Sequence, residues 1–526
     1  PFVVLLAGIL SFIPWLGSYG PLDPTDSFFL ESGRESLELN QFLLPLNNYV
    51  PWLDKPILFF WLVAGAYKLL GVNVFAGRLP AALSAIATGL IIYAGCRPML
   101  RRRTAALAAL IFLSNPLTSI IGHVCLTDMT LCLFLTASIL FLFKGIQYSS
   151  TRDLLIGYSS MSLAVLNKGP IAIILCGLAF LPYFILCSKN VKDFFRHLLS
   201  LKPLLGVAIV ALVNLPWYIA ATLATDGKFL IAFFWEQNFG RMMGTVNHQG
   251  PFHFYIPVYF AGLFPWSLFS ASAPGILKSA WKRPAQPEST THALRNILRL
   301  TMLWFACVMI LFSAIKTKLP TYILPAIPAF AILVAVQLEQ FFKLDLKRKL
   351  IPSILVSLVV VLGFGIAPLF LKGYVKDIVV KNLFLLTPLA VILSVYWMGI
   401  IRHKVKLPIA ALLLCALLAC GVVVPRGLIA FYSHRQIGFS QLVMKAKEAN
   451  ASIAMLLAEE PSVPWLTHRP VSRLLSEEDA KAFLAKQAPP HYVLVPREMI
   501  KRLDWFPAGN QQIGESGKWH LFSVDR

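Results

Sequence analysis

Residues 126–144 read LTDMTLCLFLTASILFLFK, an apolar run entered through a carboxylate, Asp128, and left through a cation, Lys144. A stretch this long crosses a bilayer as one helix, because about 20 residues at a helical rise cover the hydrocarbon thickness. A carboxylate placed at the head of such a run is costly unless something holds it, so Asp128 is a candidate functional residue. Its plainer reading is a helix N-cap, with Thr127 as competitor.

The rest of the chain repeats this pattern. Of 526 residues, 57% are hydrophobic and only 14% charged, where a soluble domain carries about a quarter charged residues. Spans are predicted near 1–20, 74–96, 104–122, 126–146, 153–167, 169–188, 203–222, 252–273, 298–314, 321–340, 350–371, 381–401 and 407–425, about 13 in all. Residues 1–20 have the apolar core of a signal peptide without a small-residue cleavage site after it, so they are read as a retained first span.

The net charge of +22 does not point to nucleic acid, because the basic residues lie in short clusters between apolar runs. With the first span running outward, the cytoplasmic gaps hold Arg97 and Arg101–Arg103, Lys144 and Arg152, then Lys189, Lys192, Arg196 and Lys202. Lys278, Lys282, Arg283, Arg295 and Arg299 follow, then Lys343 and Lys347–Lys349, and finally Arg402, Lys404 and Lys406. Every such gap is basic, as the positive-inside rule requires, and the C-terminus is expected outside. The opposite gaps collect Asp23, Asp26, Glu31, Asp54, Asp128 and Glu236. Acidic residues contribute little to topology, so this second asymmetry is a sign of a site.

The long outer loop 21–73 is expected to hold a helix over 24–40 and an interfacial helix over 57–70, with 228–245 as another. Residues 431–526 are polar, with strand-like 453–459, 492–495 and 519–524 and a helix 476–487 opened by a near capping box at Ser476. The expectation is an all-α polytopic membrane domain, 1–430, followed by a small extracytoplasmic α/β domain, 431–526, in which nothing looks catalytic. The eight cysteines lie in or beside apolar runs without metal spacing, and are read as packing residues.

Transfer of a group from a phosphate carrier needs a base for the acceptor and cations for the departing phosphate. Asp23, Asp26, Asp54 and Asp128 can supply a base or the ligands of a divalent metal. Lys55, Lys168, Arg241, Lys316 and Lys318 can hold phosphate oxygens. Glu236, His248 and Tyr322 lie on the same outer loops. Each has a plainer reading: Asp23 as a helix cap, Asp26 as a first-turn carboxylate facing the macrodipole, Lys168 as a snorkelling span end, Lys316 and Lys318 as loop charges.

Taken as a set, these segments resemble the GT-C membrane glycosyltransferases, in the branch that contains the lipid A aminoarabinose transferase, distant kin of protein O-mannosyltransferases. The resemblance rests on DPTDSFFLESGRESLE (23–38), LPLNNYVPWLDKPILFFWL (44–62), AGRLPAALSA (76–85), LTDMTL (126–131) and AVLNKGPIAI (164–173). It continues through LPWYIA (215–220), FFWEQNFGRMMG (233–244), HQGPFHFYIPV (248–258), LFPWSL (263–268) and KTKLPTYILPAIPAFAIL (316–333), over roughly the first 340 residues.

The resemblance implies a multi-pass bacterial inner-membrane enzyme with a periplasmic catalytic face, monomeric and without nucleic-acid partners. It would invert the anomeric centre while moving a monosaccharide, such as a pentose or amino sugar, from a polyprenyl-phosphate carrier to an envelope acceptor such as lipid A. The carrier tail would lie in a lateral groove between spans. Asp26, with Asp23, falls on the family's acidic first-loop motif as the base, and Asp128 matches its counterpart. Here Thr25 and Asp26 replace an adjacent acidic pair, and Phe28 stands where the family has Arg. Phosphate contacts are implied for Lys55, Lys168, Arg241, Lys316, Lys318 and Tyr322, and divalent-metal contacts for Asp54, His248 and Glu236. Two rival readings keep much of the same architecture: a lipid-linked sugar flippase, and a protein O-glycosyltransferase. A flippase would show mid-span polar residues or inverted repeats, and neither is visible.

Overall fold

The computed structural model describes residues 1–240, 249–272, 289–343, 406–456, 460–486, 491–502 and 511–524. The predicted spans 350–371 and 381–401 lie outside these residues. Among the described residues six helices are long and apolar enough to cross a bilayer: α4 (Val74–Cys96), α7 (Thr127–Gln147), α11 (Pro203–Leu223), and segments His292–Ala314, Pro320–Glu339 and Leu412–Ser433. A seventh span is broken. α5 (Arg102–Leu113) and α6 (Pro116–Gly122) meet at 63°, because Pro116 cannot continue the ladder. Ser114 Oγ and Asn115 Nδ2 donate to the carbonyls of Leu110 and Ile111 left at the end of α5.

Elsewhere the predicted spans are shorter. The first is an 11-residue helix, α1 (Phe2–Phe12). α8 (Thr151–Lys168) and α9 (Ile171–Cys187) fill the expected 153–188 hairpin, and basic α10 (Val191–Ser200) follows it. The expected span 252–273 is not one helix: an 8-residue helix, Tyr255–Gly262, is flanked by two 3-10 segments, Phe252–Phe254 before it and Trp266–Ser272 after Pro265. The outer-loop helices form as expected, with α2 at Thr25–Glu38 and α3 at Leu58–Leu70. Segment 228–240 is a short α-turn that continues as a π-helix, Ile231–Gly240.

Small residues let the spans approach closely. A Cβ on Gly89 would stand 3.1 Å from the Leu113 side chain of α5, and one on Gly95 2.9 Å from Leu140 of α7. Such contacts are the main attraction between helices in lipid, where the hydrophobic effect gives none. α11 does the opposite and leaves Leu204, Val207, Leu212, Ile219 and Leu223 more than half exposed, which suits a lipid-facing helix.

The chain leaves the membrane domain along Val424–Arg435, across the predicted boundary, and enters helix Ile437–Glu448. The C-terminal sheet is mixed and five-stranded, in the order β4-β3-β5-β7-β6. β3 (Ser452–Leu456) lies parallel to β4 (Ser472–Leu474) and β5 (His491–Pro496). β7 (Trp519–Val524) runs antiparallel to β5 and to β6 (Gln511–Ser516). The capping box is present: Asp479 N donates to Ser476 Oγ, and Leu475 N to the Asp479 carboxylate.

Candidate active site

Five chain breaks on one side of the membrane domain enclose two adjoining cavities, of 320 and 170 Å3, both lined by Lys55, Asp128, Lys168, Thr321 and Tyr322. The first break is the head of α2, which supplies Pro24, Thr25, Phe28 and Phe29. The second is a tight hairpin, β1 (Leu46–Asn47) against β2 (Val50–Pro51). Its central residues Asn48 and Tyr49 both have positive φ, 56° and 63°, as a two-residue hairpin turn demands. The hairpin carries the chain back over α2, where Trp52 packs against Phe28 with centroids 3.9 Å apart and ring planes inclined at 58°. Asp54 and Lys55 then enter the cavity wall, with Lys55 Nζ 3.0 Å from the Asp54 carbonyl and 5.9 Å from the Trp52 ring centre.

The third and fourth breaks face each other. Asp128 lies in the first turn of α7 rather than at its cap, which Leu126 occupies, and there the helix dipole favours a carboxylate. Lys168 closes α8, where the dipole favours a cation. Its Nζ donates to Asp128 Oδ1 at 2.8 Å and lies 5.7 Å from the centre of the Tyr322 ring. The backbone makes this placement possible. Gly169 takes φ +87°, a conformation few L side chains accept, and a Cβ there would meet Phe233 at 2.4 Å. Pro170 then starts α9, while Asn167 Nδ2 donates to the Thr127 carbonyl at 2.9 Å and pins the end of α8 to α7. The fifth break is the 317–322 loop, which adds Thr317, Thr321 and Tyr322.

The cavity has two characters. Around Lys55, Asp128 and Lys168 it is polar, with Thr25, Thr127, Thr317 and Thr321 nearby. The smaller compartment continues along Leu131, Ile171, Ile174, Phe233, Leu311 and Ile315. Beyond Pro170, which borders both, an apolar groove of 770 Å3 runs between α8 and α11, past Met161, Val165, Val207 and Phe234.

The first-loop carboxylates expected as the base are elsewhere. Asp26 is 1% exposed. Its oxygens accept from Arg78 Nε at 3.2 Å, Arg78 Nη2 at 2.5 Å, Leu22 N at 2.9 Å and Cys125 N at 2.6 Å. Arg78 also donates to the carbonyls of Leu16, Tyr19 and Gly20. With four donors on two oxygens, Asp26 is a structural anchor and does not line the cavity. Asp23 does not line it either: it accepts from the Ser27 and Ser462 hydroxyls and from Ser462 N at 3.0 Å. Nor does it cap its own helix through a backbone N–H. Burial, with Glu460 nearby, pushes its carboxyl up to about 7. Farther along α2, burial and neighbouring Glu31 raise Glu35 to about 9.

Three other expectations change. Lys318 is 5% exposed and donates to the carbonyls of Phe312, Ser313 and Ile315. It closes the end of helix Ser289–Ala314, and burial holds its ammonium below the usual range. Lys316 and Glu236 are exposed and off the cavity wall; beside Glu236 it is Gln237 that lines it. Arg241 and His248 lie outside the described residues. Among the described residues no three His, Cys, Asp or Glu groups gather as metal ligands. Asp54 is the member of the predicted metal set found on the cavity wall.

The structure also adds residues that the charge pattern does not signal. Trp52, Phe28 and Phe29 form an aromatic wall, and of the first-loop acidic motif it is Pro24 and Thr25, not the carboxylates, that line the cavity. Arg78 could have been found as a cation inside an apolar run, which demands a buried partner.

Comparison with known proteins agrees with this geometry. A family model described as dolichyl-phosphate-mannose-protein mannosyltransferase matches residues 54–219. An undecaprenyl phosphate-alpha-4-amino-4-deoxy-L-arabinose arabinosyl transferase 2 from Proteus mirabilis is 30% identical over 334 residues, 62% of this chain and 57% of that protein. The corresponding transferase from Serratia proteamaculans is 29% identical over 384 residues, 70% of this chain and 66% of its own length. The match thus spans less than two thirds of these relatives. The crystal structure of ArnT from Cupriavidus metallidurans bound to undecaprenyl phosphate superposes with a TM-score of 0.81, at 18% identity, over 99% of this chain and 97% of that one. The chain shares the fold of that ArnT. It is a multi-pass membrane protein with the GT-C fold and a small C-terminal sheet domain. Within the family-matched segment 54–219 lie Asp54, Lys55, Asp128 and Lys168 of the cavity.

Proposed function

We propose that this cavity transfers a monosaccharide from a polyprenyl-phosphate carrier to an acceptor on the periplasmic face of a bacterial inner membrane, inverting the anomeric centre. The observation that carries the reading is the meeting of Lys55, Lys168 and Asp128 in one polar pocket whose wall continues into apolar surface. A headgroup with negative charge belongs at the two ammonium groups, and a prenyl tail belongs against Ile171, Ile174 and Leu311 or in the groove between α8 and α11. The ArnT structure bound to undecaprenyl phosphate and the arabinosyl transferase relatives support this donor class.

In the reaction, the bond from the anomeric carbon to the carrier phosphate oxygen breaks, and its electron pair leaves with the phosphate. Lys55 and Lys168 stabilise the charge that develops there, which is greater in the transition state than in the bound donor. An acceptor oxygen bonds to the opposite face of the carbon. Where that oxygen is a hydroxyl, its proton passes to a carboxylate on the wall, Asp128 or Asp54. Thr25 and the Phe28–Trp52 wall border the same space and would hold the sugar, since apolar ring faces suit its C–H surface. A divalent ion at Asp54 would supply further positive charge; no step depends on it here. The acceptor class, an envelope lipid such as lipid A, rests on the relatives alone.

The test uses the full chain in nanodiscs with an undecaprenyl-phosphate sugar as donor and lipid A as acceptor. Mass spectrometry should show free undecaprenyl phosphate and a glycosylated lipid, and both should vanish in Lys168→Ala. Release of sugar by Lys168→Ala and Lys55→Ala at the wild-type rate would sink the reading.

A further inference from the structure

The C-terminal sheet domain carries no catalytic-looking residue, yet it touches the membrane domain just behind the cavity wall, at residues adjoining those that line it. Ser462, at the start of the six-residue helix Ser462–Thr467, donates through both its N–H and its hydroxyl to the Asp23 carboxylate. Asp23 also accepts from Ser27 Oγ within the first turn of α2. Immediately after it, Pro24, Thr25, Phe28 and Phe29 line the larger cavity.

A second contact fixes the hairpin that carries Trp52 and Lys55. Asn48 exchanges two hydrogen bonds with the backbone of Val471, at 2.7 and 2.8 Å, and Tyr49 donates to the His468 carbonyl. Between the two contacts Trp465 packs 6.0 Å from the Tyr67 ring of α3. Two of the five breaks that make the cavity are thus held from outside by one domain.

We propose that the C-terminal domain is a working part of the donor site, and that Asp23 is the positioning residue through which it sets the cavity-facing end of α2. The inference rests on the functional reading above. Asp23 acts through backbone placement and touches no reacting atom.

The latch has a pH response with a definite sign. Facing Asp23 are Ser27, Ser462 and Glu460, and Glu460 is paired with Lys518 at 2.7 Å; Asp26, one turn on, is neutralised by Arg78. Burial, with Ser462 packed against the carboxylate, and the charge of Glu460 from the same docked domain raise the Asp23 carboxyl from 3.8 to about 7. They outweigh the donated hydrogen bonds of Ser27 and Ser462, which lower it, so the docked form binds its proton more tightly than a solvated Asp23 does. Docking is therefore strongest in acid and weakens as pH rises through about 7. Asn at this position keeps an acceptor for Ser462 without the charge, so it mimics the acid form.

Hydrogen exchange over residues 22–30 of the full chain in nanodiscs, with undecaprenyl phosphate binding measured in parallel, tests the proposal. In wild type, exchange corrected for intrinsic rate should quicken between about pH 6 and about pH 8.5, while Asp23→Asn stays protected at both. Asp23→Ala and Ser462→Ala should exchange faster throughout and bind undecaprenyl phosphate about tenfold more weakly, with Asp23→Asn restoring affinity. Unchanged exchange in both alanine variants, or identical pH responses in wild type and Asp23→Asn, would overturn it. The exchange comparison decides this inference without any lipid. Wild-type protein that binds no undecaprenyl phosphate would instead overturn the functional reading.

Discussion

Arg78 of α4 and Asp26 of α2 form an ion pair from which solvent is excluded on both sides, with Nη2 and Oδ2 2.5 Å apart. Breaking a pair of this kind leaves one uncompensated buried charge and costs about 3–5 kcal/mol. Asp26→Asn and Arg78→Ala are thus expected to lower the yield and melting temperature of purified protein, losing transfer only along with folding. An Asp26→Asn protein that melts like wild type but transfers no sugar would return Asp26 to the role of base.

Lys168 and Lys55 should behave differently. Each faces the cavity. Lys55 is expected to tolerate alanine with a nearly unchanged melting temperature, whereas Lys168→Ala leaves the buried Asp128 unpaired and should lower it, though the protein still folds. Undecaprenyl phosphate affinity should fall by about 10- to 150-fold, the worth of one charge-assisted hydrogen bond. Lys318→Ala is the contrast, because that ammonium ends helix Ser289–Ala314: stability should fall, with affinity in the surviving protein close to wild type. Binding measured alongside melting separates the two classes.

Gly169→Ala tests the turn that aims Lys168. Both the φ of +87° and the 2.4 Å approach of Phe233 oppose a Cβ, and the strain is about 1–3 kcal/mol. Relief of that strain must shift Lys168 or Phe233, so the variant should bind undecaprenyl phosphate more weakly while still folding. Wild-type affinity would show that the turn is not needed to place the cation.

Glu35 gives a second pH signature. Its carboxyl is raised from 4.5 to about 9 in the folded chain, so the folded state holds the proton more tightly than the unfolded one. The resulting stabilisation is complete below the unfolded value and is lost as pH rises through about 9. Chemical denaturation should show falling stability across that alkaline range, and Glu35→Gln should flatten the fall. An unchanged slope in Glu35→Gln would refute the assignment.

Local features of the sequence carried far. Span positions, the basic inner gaps and the amphipathic outer helices depend on composition within one window, and α2, α3, α4 and α7 appear within a few residues of expectation. Lys55, Asp128 and Lys168 stand out for the same reason, as charges at the ends of apolar runs. What stayed hidden was partnership over distance. Asp26 meets Arg78 across 52 residues and Asp23 meets Ser462 across 439, and nothing in either motif names its partner. Lys318 shows the same gap at short range, since a loop charge and a helix-end donor look alike until the helix end is located. The short strand β4 and the polar β6 lack the alternating apolar pattern that revealed β3, β5 and β7.

The groove between α8 and α11 opens sideways among lipid-facing side chains and meets the charged pocket at Pro170. A long-chain molecule already dissolved in the leaflet can slide in edgewise, its tail never crossing water. Supply to the pocket is then a problem in two dimensions, set by how crowded the leaflet is with that molecule and not by any concentration in the surrounding fluid.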